Sequence, residues 1–314
     1  MNFKPFLSEL EILRDCTLCP WNCHADRFTS ELGYCHTGVD FYISSICIHR
    51  GEEPVISGSK GICNIFFTHC NLQCAFCQNY QISNNSRNHA CERMDLQDVV
   101  RQITSILDTG INIVGFVSPT HVIPQMKVII RAIEIMGYHP IWVYNSNGYD
   151  KVEIIHSLED IVDVYLPDFK YMDEQLADRL SGAKDYPKIA GMVLKEMVRQ
   201  KGTSLIINDE GYAEYGILVR HLVLPGHIDN SIRVLRYIAE EVSPRLHIGL
   251  MSQYHPSHKV LTDPALGRAL VRTEYLKVVR EMERLGITKG FIQDLTSFNH
   301  YLPDFSKNHP FESE

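Results

Sequence analysis

The stretch FFTHCNLQCAFCQNY, residues 66–80, carries three cysteines, Cys70, Cys74 and Cys77, spaced x3 and then x2. Thiolates are soft ligands that suit zinc and iron–sulfur clusters. A structural zinc ion takes four ligands, and this run offers three. A cubane [4Fe–4S] cluster has four iron corners, each normally held by one thiolate. Three cysteines would hold three corners and leave one iron open, as catalytic metal sites keep a position open. The residues alone also allow a zinc knuckle completed by His69 or Cys63. A second set, Cys16-x2-Cys19-x3-Cys23-x11-Cys35, supplies enough thiols to close a tetrahedral site. It does not match the ferredoxin run C-x2-C-x2-C-x3-C. Zinc, a second [4Fe–4S] cluster and unmetallated buried thiols all stay open there, and His24 or His36 could replace one ligand. Cys47, Cys63 and Cys91 stand apart and read as ordinary core or surface thiols.

The elements that must position these groups follow from the apolar pattern. Residues 1–60 form a cysteine-rich, metal-binding head with little periodicity. Over 61–256, apolar strand-like runs alternate with amphipathic helical stretches. Strands are expected at 62–68, 111–118, 140–146, 162–169, 216–226 and 245–254, and helices at 95–110, 124–138, 151–161, 188–202 and 230–242. Nearly continuous, β-branched strands joined by helices argue for a parallel sheet covered by helices. There are about six such units, fewer than the eight of a closed barrel. Polar residues follow the strand ends at Ser118–His121, Asn145–Gly148, Asp168–Lys170 and Gln253–His255, where α/β sheets and barrels build their sites. Residues 257–314 read as a helical extension, with a helix over 267–286.

The bulk numbers narrow the classes. The chain has 314 residues, 45% hydrophobic and 22% charged, with a net charge of −8. That length suits one large α/β domain or two ordinary ones. A negative balance gives no general footprint for nucleic acid. No apolar run is long enough for a membrane span, and the N-terminus lacks the apolar stretch of a signal peptide, so a cytoplasmic protein is expected. All ten cysteines lie at or before Cys91. In a reducing compartment such crowding points to metal or redox chemistry rather than disulfides.

Cys70-x3-Cys74-x-Phe76-Cys77 resembles the cluster motif of the radical S-adenosylmethionine (radical SAM) superfamily, and residues 57–83 resemble homologues of pyruvate formate-lyase activating enzyme. The resemblance covers roughly residues 15–305. It implies a partial (β/α)6 TIM-like barrel with a [4Fe–4S] cluster in the loop after the first strand. The open iron would be chelated by the amino and carboxylate groups of SAM. Reductive cleavage would give a 5′-deoxyadenosyl radical that abstracts hydrogen from a target, with no acid–base residue required.

Other positions carry over one at a time. Ser118-Pro119-Thr120-His121 stands where activating enzymes have a Gly-Gly-Glu stretch on the SAM amino group, so two glycines and an acid are missing. Asn145 and Asn147 lie in an NSNG run similar to the family's Asp-Thr-Asn-Gly. Asp168 and Lys170 resemble its ribose and carboxylate contacts, a carboxylate suiting two hydroxyls and an ammonium suiting a carboxylate. Arg220 resembles an arginine on the SAM carboxylate, and Gln253 and Tyr254 fall where adenine contacts arise. The implied partners are a glycyl radical enzyme, whose glycine would be the target, and a flavodoxin- or ferredoxin-type electron donor. Activating enzymes with extra ferredoxin clusters carry two further cysteine sets after the motif, whereas only Cys91 lies there. Radical modification of a small molecule or peptide is the alternative within the same chemistry, and a non-catalytic zinc-binding scaffold the alternative of another class. A nucleic-acid-modifying enzyme is disfavoured by the charge.

Overall fold

The computed structural model describes residues 4–29, 32–86, 92–257, 259–296, 302–307 and 309–311. A 3-10 helix, Lys4–Asp15, opens the chain. In order there follow β1 (Phe41–His49), α1 (Pro54–Ser57), β2 (Ile62–Phe67), α2 (Tyr80–Ser83), β3 (Arg93–Met94), α3 (Leu96–Leu107), β4 (Ile113–Val117), α4 (Ile123–Ile135) and β5 (Ile141–Asn145). Then come α5 (Val152–His156), β6 (Val164–Tyr165), α6 (Glu174–Ser181), α7 (Tyr186–Lys201), β7 (Ile206–Ile207), β8 (Ala213–Leu222), α8 (Ile228–Tyr237), β9 (His247–Met251), α9 (Arg272–Arg284) and β10 (Gly290–Ile292).

The sheet runs β10-β9-β8-β6-β5-β4-β2-β1-β3, with β7 paired onto β8. From β2 through β10 along this path every neighbour is parallel. β1 returns antiparallel on β2, and β3 on β1. This is a mixed α/β fold built on parallel strands, open at β10 and β3. β2 is buried along its whole length, as a strand covered on both faces must be.

Each expected central strand is present. β6 is shorter than expected because Pro167 has no N–H to continue the ladder. Pairing resumes beyond it, where Phe169 N donates to Arg220 O and Arg220 N to Pro167 O. Helix 188–202 starts earlier, at Tyr186, with Pro187 in the first turn. The segment 151–161 is helical only over Val152–His156. Three elements carry little sequence signal. β1 bulges between Ile43 and Ser45, β10 is three residues long with both ends exposed, and α6 is a polar helix. α6 is nevertheless well started, because Asp173 Oδ1 accepts from Leu176 N at 3.0 Å.

Register aligns the strand ends. Phe66 pairs with Val117, Val117 with Asn145, and Leu222 with Met251. An isolated bridge sets Asp168 beside Arg220. The loops after β2, β4, β5, β6, β8 and β9 therefore leave the sheet along one edge.

One buried contact behind that edge gives a pH test. His221 Nδ1 meets Phe169 O at 2.7 Å and its Nε2 meets Ser231 Oγ at 2.8 Å. Burial pushes its pKa down to about 4. The unfolded chain, with histidine near 6.5, then binds more protons, so stability falls as pH drops from about 6.5 towards 4. His221 should account for on the order of 1–2 kcal/mol of that loss at pH 5. Urea unfolding of H221N at pH 7 and pH 5 should show a correspondingly smaller difference than the parent chain, and equal differences would refute it.

Candidate active site

The loop after β2 holds the three-cysteine motif. His69 adopts φ +64°, turning the chain sharply off the strand. Asn85 then clamps the first cysteine, its Oδ1 accepting from Cys70 N and its Nδ2 donating to Cys70 O. Each sulfur has a polar neighbour. Leu72 N and Asn147 Nδ2 donate to Cys70 Sγ at 3.3 and 3.4 Å, Ser181 Oγ to Cys74 Sγ at 3.2 Å, and Ser83 Oγ lies 3.3 Å from Cys77 Sγ. None of the three is in a disulfide. Burial pushes the Cys70 thiol up to about 12 and raises Cys74, against which the Lys170 ammonium works. Buried thiols ringed by N–H and O–H donors suit an anionic thiolate cluster, which needs such donors once its protons have left.

Beside the loop lies a cavity walled by Cys74, Phe76, Cys77, Ser118, Asn145, Asp168, Lys170, Arg220 and Gln253, all singled out by sequence. Ser118 takes φ +49°, uncommon for a non-glycine residue, and its N–H bonds Asn145 O. Gln253 is tied to the motif loop through its carbonyl, which accepts from Gln78 Nε2 at 2.6 Å. Phe76 is buried against Tyr171 and Tyr254.

The floor is an ionic network. Arg220 Nε donates to Asp168 Oδ1 at 3.1 Å, its Nη1 to Glu52 Oε2 at 2.9 Å, and its Nη2 to Asn145 Oδ1 at 2.5 Å. Lys170 Nζ adds a bond to Asp168 Oδ2 at 2.6 Å. Burial alone would raise the Asp168 carboxyl, yet Lys170 and Arg220 together hold it below its ordinary value. Burial likewise opposes the charged Lys170, and Asp168 overcomes this to raise it. The pair stays ionised, leaving a carboxylate and an ammonium within reach of a ligand.

Other singled-out residues lie elsewhere. Asn147 stands behind the loop, donating to Asn71 Oδ1 at 2.8 Å as well as to Cys70 Sγ. Thr120 is fully buried and does not line the cavity. His121 turns to the other side of the sheet edge. Its Nε2 meets Thr68 O at 2.9 Å, its carbonyl accepts from Arg27 Nη1, and burial pushes its pKa down to about 3, leaving it neutral. Tyr254 donates to Leu266 O and packs as core. His24 bonds Asp15 at the surface.

Cys16, Cys19, Cys23 and Cys35 converge on a separate small cavity with Arg27, Gly33 and His121. Cys91 lies outside the described residues. Among the described residues, the set of three or more candidate ligand atoms within 4.8 Å of one another is His156, Glu159 and Glu196, on the surface. Arg199 already pairs with both of its acids.

Sequence reasoning missed Glu52 and Glu53. Glu53 is partly buried, its Oε2 shut from solvent and unpartnered, and burial pushes its carboxyl up to about 7 despite Arg220. The GEEP run announced two acids near a strand, but its link to Arg220 spans 168 residues of sequence. Asn85 and Ser181 are likewise joined to the cysteines only by folding.

Among the described residues, no helix is long and apolar enough to cross a membrane. The family profile described as Radical SAM superfamily matches residues 64–231. An uncharacterized protein of Methanocaldococcus jannaschii is 31% identical over 298 residues, covering 90% of this chain and 80% of the relative. With the cysteine motif at the carboxyl edge of the parallel strands, the chain belongs to the radical SAM superfamily, whose domain implies a [4Fe–4S] cluster and S-adenosylmethionine.

Proposed function

We propose that the chain is an enzyme that cleaves SAM reductively and abstracts hydrogen from a target, most directly the glycine of a partner glycyl radical enzyme. The observation that carries the SAM-binding part is the cavity in which Cys74 and Cys77 share a wall with Asp168, Lys170, Arg220 and Asn145. Bound together, cluster and SAM would supply a carbon-centred radical. The chain's own residues do the rest. Cys70, Cys74 and Cys77 hold the metal. Asp168 offers a carboxylate to ribose hydroxyls, Lys170 an ammonium to the methionine carboxylate, and Ser118 and Asn145 acceptors to the amino group. Phe76 and Leu222 exclude water on the apolar side.

The choice of a glycine target is supported by the similarity of residues 57–83 to homologues of pyruvate formate-lyase activating enzyme. A second reading, a small molecule or short peptide, is favoured by the C-terminal segment. Pro303 and Phe311 wall the cavity, with Phe305 and Phe311 against Phe66 at 5.3 and 5.4 Å, so an apolar segment of the chain's own lies beside the site.

The test is anaerobic reconstitution with iron and sulfide, then SAM and dithionite. 5′-Deoxyadenosine should form and should fall to background in C70A/C74A/C77A. Protein that takes up only zinc and releases no deoxyadenosine defeats the proposal in favour of a zinc-binding scaffold. With a glycyl radical enzyme and a flavodoxin- or ferredoxin-type donor added, a glycine-centred electron paramagnetic resonance signal is expected. Deoxyadenosine release without that signal selects the small-molecule or peptide reading.

A further inference from the structure

A second cavity adjoins the cysteine site. It holds about 600 Å³, room for a small molecule or a short peptide stretch. The segment 50–58 walls one side, and β9 and β10 the other. Glu52, Arg220, Met251 and Gln253 wall both this cavity and the one at the cysteine motif, so an occupant would lie beside bound SAM.

Glu53 walls the second cavity but not the first. β9 makes room for it, because a Cβ at Gly249 would meet Glu53 Oε1 at 2.6 Å. The neighbouring acid is already committed. Glu52 Oε1 accepts from Asn64 Nδ2 and its Oε2 from Arg220 Nη1, both at 2.9 Å. Glu53 Oε2 is shut from solvent and has no partner. Polar atoms removed from water are satisfied as a rule, so an orphan acceptor on a cavity wall marks the place of a missing donor.

Charge says what kind of donor is missing. Three carboxyls, Glu52, Glu53 and Asp168, share two cations, Lys170 and Arg220. The set is one positive charge short. Arg220 favours the ionised Glu53, but burial opposes it more strongly, and Glu52 and Asp168 add to that opposition. A cation in the cavity would restore the charged form. Arg50 also walls the cavity, yet it is exposed and is not among the groups that shift this carboxyl. Asp294, exposed on the same wall and held by Thr296 N and Oγ1, adds a further acid.

We propose that this cavity receives the target of the radical and that Glu53 selects a target carrying an ammonium or guanidinium group. The proposal deepens the SAM-cleaving reading above and rests on it. A glycine in a partner enzyme would then have a basic residue close by, and a small-molecule target would carry the charge itself. Glu53 contributes an ion pair, and no bond is made or broken there.

The experiment uses the full chain, reconstituted anaerobically and loaded with SAM. It is titrated calorimetrically with N-acetyl-lysine amide, with butylammonium, and with N-acetyl-norleucine amide, which lacks the charge. Both cations should bind at least about tenfold more tightly than the norleucine derivative, and Glu53→Gln should remove that preference. Tighter binding of the lysine derivative than of butylammonium identifies a peptide target, and equal binding a small amine. Gly249→Ala keeps the charge but pushes the carboxyl end aside, so it should cut the preference too, and it serves should Glu53→Gln not fold. With the cluster reduced, proton resonances of the bound lysine derivative should broaden, because its site adjoins the paramagnet. Cations that bind no better than the norleucine derivative overturn the proposal. So does a preference unchanged in both variants, or binding without broadening. Weakened SAM binding in Glu53→Gln assigns the carboxyl to SAM and overturns it as well. In each of these cases deoxyadenosine still forms from SAM and dithionite if only this inference has failed. Its absence with every reductant defeats the enzymatic reading, and the target role with it, whatever the probes do.

Discussion

Arg220→Leu is expected to destabilise the chain by about 3–5 kcal/mol and to abolish SAM binding. The guanidinium joins Glu52, Asp168 and Asn145 by three separate N–H donors. Removing it leaves the Glu52 carboxylate without its ion pair and leaves Asp168 with Lys170 alone. A buried charge stripped of its partner costs more than the pair contributed, because desolvation is not returned. The missing positive charge also lets the carboxyls of Asp168 and Glu53 rise, Asp168 less so because Lys170 still faces it. Asp168 also loses the donor that fixes Oδ1, so the carboxylate proposed to receive ribose hydroxyls is no longer held in place. Arg220→Lys should recover only part of the loss, since an ammonium lacks the planar fork that meets three acceptors at once. Urea unfolding measures the first effect and calorimetric titration with SAM the second. A stability loss below about 1 kcal/mol would mean that the network is solvated and contributes little.

The parallel strands were legible because each is a short, nearly continuous apolar run followed by polar residues, and register then brings those polar ends to one edge. The cysteine loop was legible for a similar reason, its spacing being local. Legibility failed where contacts are made across the chain. Glu52 reaches Arg220, and Asn85 reaches both Cys70 and Tyr34, with no periodicity to announce either. It failed differently at residues 118–121. Sequence adjacency suggested one ligand-facing group, but Pro119–Val122 is a 3-10 turn. Such a turn fans successive side chains by about 120°, so Ser118 meets the cavity while His121 faces the head cysteines. β1 was hidden because Ser44, Ser45 and the bulge break its alternation, so the head read as structureless up to the motif.

Gly148→Ala should cost about 2–5 kcal/mol and lower iron retention at the three-cysteine site. Gly148 lies in the NSNG turn with φ +83°, where a side chain is strained by about 1–2 kcal/mol. A Cβ there would also meet Asp168 O at 2.4 Å and Tyr186 Oη at 2.5 Å. Neither can yield cheaply. The carbonyl belongs to the backbone that carries Asp168 into the network, and the Tyr186 hydroxyl donates to Asn147 O at 2.9 Å and Asp168 O at 3.0 Å. Displacing the turn moves Asn147, whose Nδ2 steadies Cys70 Sγ and Asn71. Gly137→Ala separates the two causes. Gly137 has φ +88° but nothing within 4 Å of a built Cβ, so it bears the strain without the collision. It should cost about 1–2 kcal/mol and leave iron content unchanged. Thermal unfolding and iron analysis of the two variants side by side decide the matter. Equal losses would show that the turn relaxes around the methyl group and that close approach to Asp168 is not what holds the site together.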